Sequence, residues 1–333
     1  MTATTASPLL EIEDLRTEIQ VDGQWLPVVD GVTYSVKPGE TLGLVGESGS
    51  GKSVSAMTLM GFIGRRRGQR VSGRASFRGR DLLGLSEREL GRMRGNDIAM
   101  VFQEPMTSLD PSFKVGNQIA EGIRLHQGVS KDEAMRRAVE AMDKVRIPNA
   151  KVRAESYPHE FSGGMRQRVL IAMAIANDPA LLIADEPTTA LDVSVQAQIL
   201  ALLAEMRDEL GLAMIFITHN MGVVADICDR VAVMYAGQIV ESGEVRQTFA
   251  DPQHPYTSRL LASMPRLRGE RTSLEWIPGT PPRPAEFAAG CRFAPRCAHA
   301  QAQCLEPTTL AVVGDGRVNR CTRGVEWKKD VHA

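Results

Sequence analysis

Residues 46–53 read Gly-Glu-Ser-Gly-Ser-Gly-Lys-Ser directly after the apolar run Thr41–Val45, and no other stretch narrows the fold so far. A strand that gives way to spaced glycines, a lysine and a hydroxyl matches the P-loop pattern, in which the loop opens a helix. The glycines let the backbone wrap closely, so successive N–H groups face phosphate oxygens at the helix N-terminus. Lys52 supplies a point charge to the phosphates, and the Ser53 hydroxyl is placed to ligate Mg²⁺. This reading assigns Gly46, Glu47, Ser48, Gly49, Ser50, Gly51, Lys52 and Ser53 to nucleotide binding. A plain glycine turn is the alternative, and the strand before it and helix-forming stretch after it argue against that.

The rest of the first 245 residues agrees with such a core. Short apolar runs at 41–45, 98–102, 181–184 and 214–218 alternate with longer helical patterns. Alternation of this kind predicts an α/β fold with a mostly parallel sheet. A purely helical insert, roughly 104–158, lies between two of the runs. Its clearest helix starts at Ser130, with Glu133 three residues on in a capping-box pattern. Met135, Ala138, Val139, Met142 and Val145 then share one face at helical spacing, the pattern of ordinary core packing. After Gly243 prolines accumulate, nine of them between 252 and 307, and the rhythm fades. The expected division is a nucleotide-binding domain at 1–248, with a helical subdomain at about 104–165. A small, loop-rich C-terminal domain follows at 249–333.

Composition excludes several roles. With 39 basic against 40 acidic residues the net charge is −1, so no global attraction to nucleic acid is expected. Seven arginines crowd positions 65 to 80, read as a solvated face. No secretory signal is expected at the small, uncharged N-terminus. The longest apolar run, 169–176, is far short of the about 20 residues that span a bilayer. Cys228 stands alone and is expected to be packed.

A second chemical feature is Leu181-Leu182-Ile183-Ala184-Asp185-Glu186. An apolar strand here delivers two carboxylates at its C-terminal edge, where open α/β sheets bind ligands. Asp185 would hold Mg²⁺, and Glu186 would act as general base toward the attacking water. Adjacent acids ending a buried strand have little structural use, because unpaired buried charge is costly.

Phe161-Ser162-Gly163-Gly164-Met165-Arg166-Gln167-Arg168 resembles the signature motif of ABC ATPases. The resemblance implies that Ser162, Gly163, Gly164 and Met165 cap the γ-phosphate held by a partner subunit, in a head-to-tail dimer. In the same family order, Gln103 looks like the Q-loop residue that senses Mg²⁺ and the attacking water. Ala190, Leu191 and Asp192 look like the D-loop, and His219 like the switch histidine that steadies Glu186. Residues 46–55, 101–111 (VFQEPMTSLDP), 157–168 and His254-Pro255-Tyr256-Thr257 resemble ATPase subunits of dipeptide and oligopeptide ABC importers. That branch implies a P-loop NTPase with a RecA-like core, and hydrolysis of ATP with Mg²⁺. It also implies two membrane permeases, a second ABC ATPase and an extracytoplasmic solute-binding protein as partners. Nucleic acid is not among them, and the place of action is the cytoplasmic face of the membrane. Peptides are the family's substrates, with nickel and heme also open. The alternative, a soluble ABC ATPase acting on nucleic acid or ribosomes, usually has two cassettes in one chain or long coiled-coil insertions; this chain has one cassette and no sustained heptads. One position departs from the family. Ile19 stands where an aromatic residue usually stacks on adenine, which leaves Trp25 or Tyr34 as substitutes, or a looser hold on the base.

Cys291, Cys297, Cys304 and Cys321 cluster near the C-terminus without a close pair. Four thiolates can hold zinc or a 4Fe–4S cluster, and buried free thiols are a third possibility. Structural zinc sites favour tight pairs, whereas wide, uneven spacing suits a cube. The family resemblance implies the cluster, with a structural role.

Overall fold

All four apolar runs form strands, as the alternation predicts. A computed structural model describes residues 7–102, 108–189, 191–264, 276–314 and 316–331. In chain order the strands are β1 (Leu10–Val21), β2 (Gln24–Val36), β3 (Thr41–Val45), β4 (Gln69–Phe77), β5 (Arg80–Asp81) and β6 (Ile98–Val101). They continue with β7 (Leu181–Asp185), β8 (Ala213–Thr218), β9 (Arg230–Tyr235), β10 (Gln238–Glu244), β11 (Ala311–Gly314) and β12 (Arg317–Asn319). The chain forms two compact units. One comprises Ser7–Val36, Thr41–Gly84 and Ile217–Ala333, and the other Lys37–Glu40 and Leu85–Phe216.

The first unit carries the phosphate-loop strand. β3 is buried along its whole length and pairs in parallel with β9, in the register Leu42↔Arg230 to Val45↔Val233. The strand order there is β11-β12-β10-β9-β3, with the C-terminal β12 hydrogen-bonded antiparallel to β10. The proline-rich tail thus extends the same sheet, and Trp327 is 4% exposed with its indole N–H on the Gln253 carbonyl. Cys228 is buried against Gly43, as a packed cysteine should be. The unit also holds an antiparallel sheet, β2-β1-β4-β5, that periodicity had not separated from the α/β core. Asp22 and Gly23, both at positive φ, make the tight β1–β2 turn. All seven arginines between 65 and 80 are exposed.

In the second unit the order is β8-β7-β6, with β6 and β7 parallel and β7 wholly buried. Helices Val115–Gln127, Lys131–Lys144 and Gly163–Ile175 form the helical part. The buried face of Lys131–Lys144 is Ala134, Ala138, Ala141 and Met142, with Val145 beyond, while Met135 and Val139 are half-buried. The expected stripe is therefore turned toward the alanines, whose small side chains let neighbouring helices approach. Ser130 caps the helix by accepting the Glu133 N–H at 3.3 Å. The Glu133 carboxylate binds Arg136 and Arg137 in place of closing the expected capping box. Among the described residues no helix is long and apolar enough to cross a membrane.

Candidate nucleotide-binding site

The phosphate loop leaves β3 at Gly46 and enters helix Lys52–Leu59. Gly46 and Gly51 have φ of 152° and 99°. A Cβ on Gly46 would stand 2.0 Å from the Met234 carbonyl oxygen, and one on Gly51 2.8 Å from that of Val28. Only glycine fits there, so the sequence spacing is imposed by close backbone approach. Lys52 is buried, and its ammonium donates to the carbonyls of Gly46 (2.8 Å) and Glu47 (2.9 Å) and to Ser50 Oγ (3.2 Å). The helix has no acidic residue in its first turn and no side-chain cap on its N-terminal amides. A buried cation at a helix N-terminus without an acidic residue or a side-chain cap makes an anion seat. Ser53, half-buried, is the next residue of that helix.

In the other unit, β7 ends at Asp185, which is 5% exposed. Glu186 follows at φ 46°, a left-handed conformation uncommon for any side chain but glycine. Its carboxylate accepts the Thr189 hydroxyl at 2.8 Å. Ser162 is exposed and caps helix Gly163–Ile175, its Oγ accepting the Met165 N–H at 3.3 Å. Gly163 and Gly164 pack beside Leu191 and Val195. A Cβ on Gly163 would lie 3.8 Å from Leu191, and one on Gly164 only 2.5 Å from Val195. Asp192 caps helix Val193–Leu210, and its bonds from Ser194 and from the Val195 N–H hold its carboxyl below the usual range. Gln103 and Ala190 lie outside the described residues.

In the first unit, His219 follows β8 and is exposed, next to Asn220, which caps helix Met221–Ile227. Of the substitutes for the adenine-stacking aromatic, Tyr34 is 6% exposed and belongs to the core, which removes it. Trp25 is accessible but carries the Arg70 guanidinium 4.4 Å over its ring. Ile19 pairs with Leu26 of β2.

Cys291, Cys297, Cys304 and Cys321 line one cavity together with His254 and Phe293. The Cys291 N–H donates to the Cys304 carbonyl at 2.8 Å, which ties two of the four backbones. Burial, with repulsion from neighbouring thiols, pushes the Cys291, Cys297 and Cys321 thiols up, the last to about 11. Among the described residues no three His, Cys, Asp or Glu side chains are gathered as they would be round a single ion. The motif reading missed Arg296 and Tyr256, which hold Glu47. Both lie more than 200 positions along the chain from it, so no local pattern could have joined them.

A phosphate loop opening a helix beside a buried β3, with an acid-terminated parallel strand and a serine-capped glycine helix, defines a P-loop ATPase of the ABC class. Residues 29–189 match the family described as ABC transporter, and residues 240–304 the oligopeptide/dipeptide transporter C-terminal region. The chain is 50% identical over 315 residues to a peptide import ATP-binding protein of Brucella abortus, covering 95% of each. It is 49% identical to the oligopeptide transport ATP-binding protein OppD of Salmonella typhimurium, covering 96% of this chain and 95% of that protein. Among solved structures, the dimeric ATP-binding cassette MJ0796 in a post-hydrolysis state with ADP and Pi is similar at TM-score 0.64 and 25% identity, covering 71% of this chain and 99% of that one. CbiO1 of Clostridium perfringens is similar at TM-score 0.63 and 28% identity, covering 73% of this chain and 91% of that one. The chain belongs to the ATP-binding subunits of ABC transporters, in their oligopeptide/dipeptide branch, and is an ABC-type ATPase.

Proposed function

We propose that this chain is the ATP-hydrolysing subunit of an importer of di- and oligopeptides. It works from the cytoplasmic face of the membrane on two permeases, beside a second ABC ATPase, and an extracytoplasmic binding protein delivers the substrate. The observation that carries the reading is the phosphate loop, where the Lys52 ammonium is bound to the loop's own acceptors at a helix N-terminus that has no acidic residue in its first turn and no side-chain cap. Phosphate oxygens replace those acceptors when ATP binds. Ser53 and Asp185, with Gln103, are the residues to hold Mg²⁺, which when bound neutralises charge on the phosphates. Glu186 orients and deprotonates water, and Thr189 and His219 hold Glu186 in place. Ser162, Gly163, Gly164 and Met165, with the D-loop Ala190, Leu191 and Asp192, serve the nucleotide of the partner subunit. The division at 248/249 remains the functional one in this reading. The test is reconstitution with the permeases in vesicles. Peptide-loaded binding protein should stimulate ATP hydrolysis and peptide uptake, and Lys52→Ala should abolish both. Stimulation by nucleic acid or ribosomes in its place would overturn the assignment.

The four cysteines form, in the same proposal, the ligand set of a 4Fe–4S cluster. Four sulfurs around one cavity fit a centre with four separate iron corners. When bound, it cross-links four points of a segment too short to build a large core of its own. Protein purified without oxygen should be brown with roughly four irons per chain, and Cys297→Ser should bleach it. One zinc per chain, or no metal, would overturn the cluster.

A further inference from the structure

Glu47, the second residue of the phosphate loop, is held by groups from far along the chain. Arg296 sets Nη1 on Glu47 Oε2 at 2.7 Å and Nη2 on Oε1 at 3.0 Å. The Glu47 N–H donates to the Tyr256 hydroxyl at 2.9 Å. The Glu47 carbonyl in turn accepts Lys52 Nζ at 2.9 Å and the Ser50 N–H at 3.2 Å. One residue therefore links Arg296, through side chain and backbone, to the lysine that meets the phosphates.

The arrangement is not a loose surface pair of the kind that contributes almost nothing. The Arg296 side chain is 5% exposed and that of Glu47 27%. The same guanidinium donates to the Pro278 carbonyl at 2.8 Å, the Gly279 carbonyl at 3.2 Å and the Tyr235 hydroxyl at 3.3 Å. Tyr235, Tyr256 and Phe293 pack ring against ring at 4.6 to 5.3 Å between centroids, which fixes both hydroxyls. A two-pronged arginine on a carboxylate is directional and leaves the loop little freedom. It also cancels a negative charge beside a seat that must receive three phosphates.

We propose that Arg296 is a positioning residue of the nucleotide site, which fixes the phosphate loop through Glu47 and neutralises a carboxylate that would otherwise repel ATP. The C-terminal segment thereby becomes a determinant of nucleotide affinity.

The inference rests on the reading of Gly46–Ser53 as the ATP seat, and titration of the full-length protein with ATP separates the two. Wild-type protein that bound no ATP would defeat that reading. Arg296→Met, which keeps the packing and removes the fork, should weaken ATP binding about tenfold, the loss of one charge-assisted hydrogen bond. In the assembled complex KM should rise in step, with kcat held within about twofold. The discriminating variant is Arg296→Met with Glu47→Gln. Removing the stranded carboxylate should recover the share of affinity lost to repulsion, while the share lost with the fork that fixes the loop stays lost; a merely structural contact would show no recovery. Should Arg296→Met fail to fold, Arg296→Lys keeps the charge without the fork and should bind about threefold more weakly. Wild-type affinity in either single variant, or no recovery in the double variant, would overturn the proposal.

Discussion

Glu186 sits at φ 46°, a region that costs a non-glycine residue about 1–3 kcal/mol and persists where surroundings enforce it. Strain at this point fits a residue whose direction matters more than its comfort, and Thr189 fixes that direction by a 2.8 Å hydrogen bond. Glu186→Gln keeps the shape and removes the carboxylate proposed as the base. Turnover in the assembled complex should fall by about 10²- to 10⁴-fold, with nucleotide affinity retained. Steady-state ATPase rates beside a binding titration check this, and near-wild-type turnover would sink the role. The acid pair was legible in sequence because two carboxylates ending an apolar strand are unusual. The strain was not, since φ at position 186 depends on what surrounds the end of β7.

At the scale of elements, Gly164 shows how magnitudes decide a sign. Alanine is favoured over glycine inside a helix by about 1 kcal/mol, yet its Cβ would stand 2.5 Å from Val195. Overpacking of this kind costs about 1–3 kcal/mol, and a β-branched neighbour cannot swing aside cheaply. Gly164→Ala should therefore destabilise the protein in chemical denaturation, and adding Val195→Ala should restore it. A single variant as stable as wild type would contradict the packing. Helix Lys131–Lys144 offers a pH test. Hydrogen bonds from Arg136 and then Arg137 hold the Glu133 carboxyl down to about 2, against 4.5 for the free group. Its folded value lies below the unfolded one, so the contribution is complete above about pH 4.5 and is lost as pH falls toward 2. The Glu133 side chain is 30% exposed and that of Arg136 56%, so solvent screens the pair and the effect is small and salt-sensitive. The melting difference between wild type and Glu133→Gln should shrink over that window, and a widening gap on acidification would refute it.

On the scale of the whole molecule, Ser162 is an exposed helix cap in its own chain, and in the proposed assembly it serves the partner's nucleotide. Ser162→Arg should leave ATP affinity of the isolated chain almost unchanged while blocking ATPase activity and uptake in the complex. A large loss of affinity in the isolated chain would place Ser162 in its own pocket instead. The sequence by itself determined the strand carrying the phosphate loop, the acid-ended strand and the class of chemistry. Those depend on local spacing: glycines where backbone approaches backbone, apolar runs where a strand is buried on both faces. The tertiary structure alone decided the rest. The antiparallel sheet β2-β1-β4-β5 is closed by the β1–β4 pairing of distant segments, Leu10↔Phe77 to Ile19↔Gln69, and the buried face of Lys131–Lys144 is set by which neighbours could come close. Arg296 reaches Glu47 because β12 returns to pair with β10 and the rings of Tyr235, Tyr256 and Phe293 pack together. No periodicity records a contact across 249 positions, because chain folding, and not sequence spacing, brings its two ends together.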